Sequence, residues 1–249
     1  MFHGVSLAER DTMPEDLSDE FKDADLKDER LMSAAKALGK APALSICAAS
    51  GGWNELIAIY RLFNSEAVKP EALLAPHRKK TIARCAEFTC VSVSQDTTEL
   101  DFTHLKSTTG LGPLNSLTRR GFQLHSLYVG SEQGLPLGLL SSEVMMRDDE
   151  TFGNSDKSKK LPIEEKESFR WLQGYRETQK LAEVLPHCEI FSTSDREGDI
   201  HEVFNAWQDV TKGPRAEWII RAKEKRAVFL RKFAPWKAPH GPRVDLEPN

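Results

Sequence analysis

The sequence predicts an α/β (α+β) chain in two parts, a small bundle of short helices followed by a mixed sheet in the order βββαβαβ. Three observations carry this. Apolar residues recur at helical spacing up to about residue 65. Between about residues 89 and 146 the period drops to two, as on strands with one buried face. Beyond about residue 164 helical and strand patterns alternate, as expected when helices cover the faces of a sheet. At 249 residues the chain can bury one large core or two smaller ones.

In chain order, the first twenty or so residues lack apolar periodicity and carry much of an acidic run over 9–29, so 1–20 reads as a loose acidic arm. Leu31, Ala34, Ala35 and Leu38 then fall at i, i+3, i+4 and i+7, a helix stopped by Gly39. A short apolar segment over 43–49 stops at Gly51 and Gly52. A third helix over 53–63 turns Trp53, Leu56, Ile57, Tyr60 and Phe63 to one side; Trp53 and Tyr60 read as core packing, the expected role, or as rings that stack on or contact DNA. Pro70 opens a helix to about residue 86, with a kink expected at Pro76.

Three antiparallel strands are expected next, at 89–94, at 121–129 (GFQLHSLYV) and in LGLLSSEVMM. A polar loop spans 147–162, and a helix over 164–183 carries Phe169, Leu172, Tyr175 and Leu181 on its stripe before Pro186 breaks it. EIFS over 189–192 is a short strand, Ile200, Val203, Phe204 and Trp207 mark a helix, and WII over 218–220 is a last strand. The segment 224–249 is rich in proline and basic residues and lacks periodicity. It reads as an irregular tail of the kind a frameshift or truncation leaves.

Charge and cysteine usage narrow the classes. The net charge of −4 is weak, but basic residues cluster at His77, Arg78, Lys79, Lys80 and Arg84 and again beyond Arg221. Such a patch is compatible with nucleic acid and equally with a solvated helix face. The four cysteines show no CxxC spacing, which argues against a disulfide framework or a structural zinc. No apolar run is long enough to span a membrane and no signal-peptide pattern is present, so a cytoplasmic location without membrane partners is expected.

Two acidic stretches are candidates for chemistry. In SVSQDTTELDF a strand is expected to end at Asp96, with Glu99 and Asp101 as solvent-side positions of the next strand. The stretch reads as a polar turn closing a hairpin or as a carboxylate placed for a metal. In STSDREGDI, Ser194 or Asp195 suits a helix N-cap, and Asp195, just past a strand, can cap and take a ligand position at the same time. If the two strands lie side by side and parallel, Asp96 and Asp195 converge at the strand ends where α/β sheets place their sites.

Together these motifs carry a resemblance. QDTTELDFT, GLGPL, GFQLHSLYV, GLPLGLL, ESFRW and SDREGDI, in this order, resemble the DDE transposases of bacterial cut-and-paste insertion sequences, in the group with a DREGD box and a Y-x2-R-x3-E-x6-K signature. FKDADLKDERL, LGKAPALSICAASGGWNELIAIYRLFNSEAV and PEALLAPHRKKTIAR are similar to that group's helical DNA-binding part, and the likeness covers about 21–223.

The resemblance implies a helical DNA-binding domain at 21–69 and the N-terminal part of a ribonuclease H-like catalytic domain at 70–223. It implies binding of double-stranded DNA at transposon ends, cleavage through hairpin ends and joining of a 3′-hydroxyl to target DNA, with two Mg²⁺ or Mn²⁺ ions. Its first two acids map to Asp96 and Asp195, with Thr97, Thr98, Arg196 and Asp199 around them; Asp199 would hold Arg196 or solvent. Arg30, Lys40, Arg61, Arg78, Lys79, Lys80 and Arg84 are the expected DNA contacts.

The third acid departs from the pattern. No tyrosine is followed by the required Arg, Glu and Lys; Tyr175, Arg176 and Glu177 have the residue types at another spacing and precede Asp195. Glu202 and Glu224 have no spacing argument as replacements. The expectation is a chain inactive alone, completed by another chain, or a non-catalytic end-binding protein that inhibits a full-length transposase.

Overall fold

The structure is a computed structural model and describes residues 29–66, 68–149, 152–153 and 161–223. The expected acidic arm at 1–20, the start of the helical part at 21–28, most of the 147–162 loop and the tail at 224–249 lie outside the described residues.

Among the described residues the chain begins with four helices, α1 (Glu29–Lys40), α2 (Ile46–Ala49), α3 (Trp53–Phe63) and α4 (Pro70–Cys85). Strands β1 (Cys90–Asp101), β2 (Gly112–Pro113), β3 (Arg120–Ser131) and β4 (Pro136–Met145) come next. Then come α5 (Phe169–Val184), β5 (Glu189–Ser194), α6 (His201–Asp209) and β6 (Glu217–Ile220). The sheet is mixed: β3 pairs antiparallel with β1, β2 and β4, while β1, β5 and β6 run parallel. A helix-and-sheet chain with these antiparallel and αβαβ parts was legible from the periods; the two-residue β2 was not.

The first three helices close a small core. Leu31, Ala34 and Ala37 of α1 pack with Ile59 and Leu62 of α3. The expected stripe on α3 is corrected here. Trp53 is 73% exposed and Tyr60 46%, while Ile59 and Leu62 are buried. The reason lies on α1, whose alanines form a shallow surface that aliphatic side chains fill and an indole would pry open. Ser33 Oγ donates to Glu55 Oε1 at 3.1 Å and ties α1 to α3 on the polar side.

Helix α4 belongs to both parts. Leu73 packs on the helical core, and Ile82 and Cys85 join the sheet core. The helix runs unbroken through Pro76. It lies close to β4, where Gly138 has φ +128° and a Cβ would run into Thr81, Arg84 and His77. His77 Nε2 accepts from the Leu139 amide at 2.9 Å, and Arg84 Nε donates to the Leu137 carbonyl at 2.6 Å. These bonds seat α4 on the irregular stretch of β4 where its register against β3 shifts.

The helices cover one face of the sheet. Val91 and Val93 of β1, Leu127 and Val129 of β3 and Ile190 of β5 point into a core closed by Leu172, Tyr175 and Leu181 of α5. Alternation sends their neighbours to the opposite face, where Tyr128, Val144 and Ile219 are exposed. Tyr175 Oη donates to the Ala216 carbonyl at 2.8 Å, and Gln179 Oε1 accepts from the Ala216 amide at 2.9 Å, so α5 also straps the approach to β6.

Gly174 lets α5 rest on β1, because a Cβ there would collide with the carboxamide of Gln95. Gly174→Ala is expected to cost about 1–3 kcal/mol through this overpacking. Urea denaturation checks it, and Gln95→Ala in the same background is expected to return part of the loss. A loss that Gln95→Ala leaves untouched would disprove the contact as its cause.

Candidate nucleic-acid interface and carboxylate pair

Strand β1 does not end at Asp96 but continues to Asp101. What ends there is its parallel pairing. The register of β1 with β5 runs from Cys90 opposite Glu189 to Ser94 opposite Thr193. Continued two residues, it sets Asp96 at the level of Asp195. Asp195 keeps extended backbone, φ −78° and ψ −162°, so the alternation of side chains runs through it. Ser94 and Thr193 meet on the face of the sheet opposite α5, where Thr193 Oγ1 donates to Ser94 Oγ at 3.0 Å. Asp96 and Asp195 come after them on that face, and both are exposed. The parallel register thus sets the two residues at one level, and β1 runs on beyond its last pair with β5.

Each carboxylate is held by a backbone amide. Asp96 Oδ1 accepts from the Thr97 N–H at 2.8 Å, and Asp195 Oδ1 accepts from the Glu197 N–H at 2.8 Å. The second bond makes Asp195 the N-cap of a 3₁₀ turn over Arg196–Gly198. Arg196 and Thr98 are exposed beside the pair. Asp199 is corrected: it is buried just before α6, and its Oδ2 accepts from the Lys223 amide at 2.7 Å.

Glu99 and Asp101 are corrected as well. They lie on β1 itself and share Arg119, at 3.2 Å and 2.9 Å. Hydrogen bonds from the Thr103 hydroxyl and amide, and then from Arg119, hold the Asp101 carboxyl down at about 2. These acids are committed to the hairpin end of the sheet and stand apart from Asp96.

Behind the pair, on the helix side, lies a polar relay that sequence reasoning did not find. Arg170 Nε donates to Thr97 Oγ1 at 3.0 Å, and Thr97 Oγ1 meets His125 Nδ1 at 2.9 Å. His125 Nε2 meets Gln95 Oε1 at 3.4 Å, and Gln95 Nε2 donates to Ser192 Oγ at 2.8 Å. Burial followed by the Arg170 charge pulls the His125 pKa down to about 4, so the ring is neutral near pH 7. In a neutral ring whose Nε2–H donates to the Gln95 Oε1 acceptor, Nδ1 is left to accept from the Thr97 hydroxyl. The sequence signal was ESFRW, whose arginine and tryptophan both turn inward at the start of α5.

Two carboxylates at one level of a parallel strand pair, each with one oxygen tied to an amide, suit a hard divalent cation that takes oxygens and keeps waters. Among the described residues no group of three or more His, Cys, Asp and Glu is assembled to hold a metal. The pair fits as two ligands of such a site. The third acid implied by the resemblance does not stand beside it among those residues. Glu202 sits in the first turn of α6, and Glu224 lies outside the described residues.

The expected DNA contacts divide by placement. Arg30, Lys40 and Arg61 are on the exposed surface of the first three helices, and Lys79 is exposed on α4. On α3, Trp53 and Tyr60 lie two turns apart on the exposed face, with Arg61 beside them and Leu62 behind. Arg78 bonds Glu177 of α5 at 2.8 Å, and Arg84 is spent on β4. Lys80 is half-buried.

Residues 15–68 match the family described as Transposase DNA-binding. The match takes in α1, α2 and α3, and ends next to the boundary expected at residue 69. No curated protein matches the chain. The family match supports a transposase, with DNA as its partner. Among the described residues no helix is long and apolar enough to cross a membrane.

Proposed function

We propose that the chain binds the inverted-repeat ends of a mobile DNA element through its helical part, residues 21–69, and that 70–223 is the N-terminal part of a ribonuclease H-like, DDE-type transposase domain. The observation that carries the reading is the exposed Trp53 and Tyr60 face flanked by Arg61, inside the segment that matches transposase DNA-binding domains. Aromatic rings left in water beside an arginine offer stacking and phosphate neutralisation together. Arg30 and Lys40 of α1 and Lys79 of α4 are exposed as well.

Asp96 and Asp195 would hold Mg²⁺ or Mn²⁺, which supplies charge stabilisation at the attacking and leaving oxygens of a phosphodiester. The protein's own part is to aim both carboxylates from one face and tether them by the Thr97 and Glu197 amides. With two acids assembled, strand cleavage requires a third carboxylate from outside the described residues or from a full-length transposase. The family match at 15–68, which takes in the helical part and stops short of the carboxylate pair, supports a second reading, an end-binding protein that competes with a full-length copy without cutting.

A gel with labelled duplex carrying the element's inverted repeat, with and without Mn²⁺, separates the two. A shift with no nick supports the competitor. A metal-dependent nick lost in Asp96→Asn and Asp195→Asn supports the enzyme, and a nick lost in neither removes the assigned pair. No preference for end sequence over random duplex would disprove end binding altogether. Arg61→Ala is expected to lower the slope of log affinity against log salt by about 1, as loss of one phosphate contact does.

A further inference from the structure

We propose that Arg170 is the positioning residue of the carboxylate pair: one guanidinium grips both residues whose amides hold Asp96 and Asp195. The inference rests on the proposed role of that pair. Arg170 stands at the start of α5, 7% exposed, with its guanidinium 5.7 Å from the Trp171 ring centre. Nη1 donates to the Glu167 carbonyl at 2.7 Å and ties the group to its own helix start. Nε donates to Thr97 Oγ1 at 3.0 Å, and Nη2 donates to Glu197 Oε2 at 2.8 Å. Thr97 and Glu197 are the two residues whose N–H groups bind Asp96 Oδ1 and Asp195 Oδ1.

The geometry explains why an arginine is used. Beyond the last paired residues β1 and β5 no longer share a ladder, and Asp195 already leads into a 3₁₀ turn. Something else must keep the two acids at one spacing. A planar fork with donors on separate edges reaches β1 and the turn after β5 at once, which a lysine ammonium on a flexible stem does not. Glu197 is 59% exposed, so the fork is covered at its strand end and reachable at its turn end.

Charge and position predict opposite results. A cation this near two carboxylates repels a divalent ion, and removing it exposes Glu197 as one more anion. On charge alone Arg170→Met therefore tightens metal binding. On positioning it weakens binding, because the carboxylates lose their common spacing.

The test uses the full chain and two readouts, amide hydrogen exchange by NMR and Mn²⁺ titration by electron paramagnetic resonance. In Arg170→Met the Thr97 and Glu197 amides are expected to exchange at least about tenfold faster, with the Val91 and Val93 amides unchanged. Mn²⁺ is expected to bind more weakly than in wild type. Unchanged exchange at both amides, or tighter Mn²⁺ binding, overturns the proposal.

If Arg170→Met loosens Val91 and Val93 too, Arg170→Lys decides. Lysine reaches Glu197 but does not span to Thr97, so exchange is expected to rise at Thr97 alone; no rise there overturns the proposal. Asp195→Asn serves as the reference for the pair itself. Wild type that binds no Mn²⁺, or Asp195→Asn that binds it equally well, removes the metal reading. The exchange data then still decide on Arg170.

Discussion

Acidification from pH 7 to pH 4 is expected to remove about 3 kcal/mol of stability through His125 alone. The imidazole titrates near 6.5 in an unfolded chain and near 4 in the fold. Its folded value is the lower one, so the unfolded chain binds the proton first. The contribution is complete above pH 6.5, shrinks as pH falls towards 4, and is fully lost below that. The cause is local: His125 is buried, and Arg170 adds a positive charge across the Thr97 hydroxyl that meets Nδ1.

Urea midpoints measured between pH 7 and 4.5 check this, with His125→Gln as the control whose midpoint stays flat over that window. A wild-type midpoint as flat as the control's would mean that the imidazole is charged in the fold. Asp101 cannot mimic the effect, because its carboxyl sits near 2 and its contribution is lost only below the ordinary carboxylate range.

Trp171→Ala is expected to cost about 3–5 kcal/mol. That is a large part of the roughly 5–15 kcal/mol that holds a domain folded. Trp171 is 2% exposed, and its ring meets the His125 ring edge-on at 4.8 Å between centres. Arg170 lies over it, and Gly198 approaches it so closely that a Cβ there would touch the indole. The side chain thus packs against the helix start, β3 and the turn after Asp195 at once. No small shift of one element refills the space it leaves. Chemical denaturation reads the loss, and Trp171→Phe is expected to keep more than half of the difference. Equal losses for the two substitutions would show that the volume of the indole is not what matters.

Much of the architecture was legible because strand and helix periods write themselves into apolar spacing. Val91 and Val93, Leu127 and Val129, and Leu172, Tyr175 and Leu181 all face inward as their spacing implies. Asp96 and Asp195 stood out in the sequence because each follows a short apolar stretch. Their common face came only with the parallel register. The stripe on α3 was misread because both sides of that helix are apolar, and the choice between them depends on the alanines of α1 across the interface. The relay from Arg170 to Ser192 was hidden for a related reason. Its members come from α5, β1, β3 and β5, and a buried hydrogen-bond chain leaves no period in any one of them. Asp199 looked like part of an acid box and proved to be an anchor for the backbone at Lys223.

Helix α4 has a mechanical consequence. Its Leu73 packs against one core and its Ile82 against the other, and His77, Thr81 and Arg84 meet β4 at Gly138. A helix gripped near both ends behaves as a ruler with a set angle as well as a set length. One residue inserted between those grips advances the far end by about 1.5 Å and swings it by about 100°. The swing dwarfs the advance. A duplex carried by the first three helices would then be turned away from the sheet while every local contact in either core survived, so phase along α4 matters more than reach.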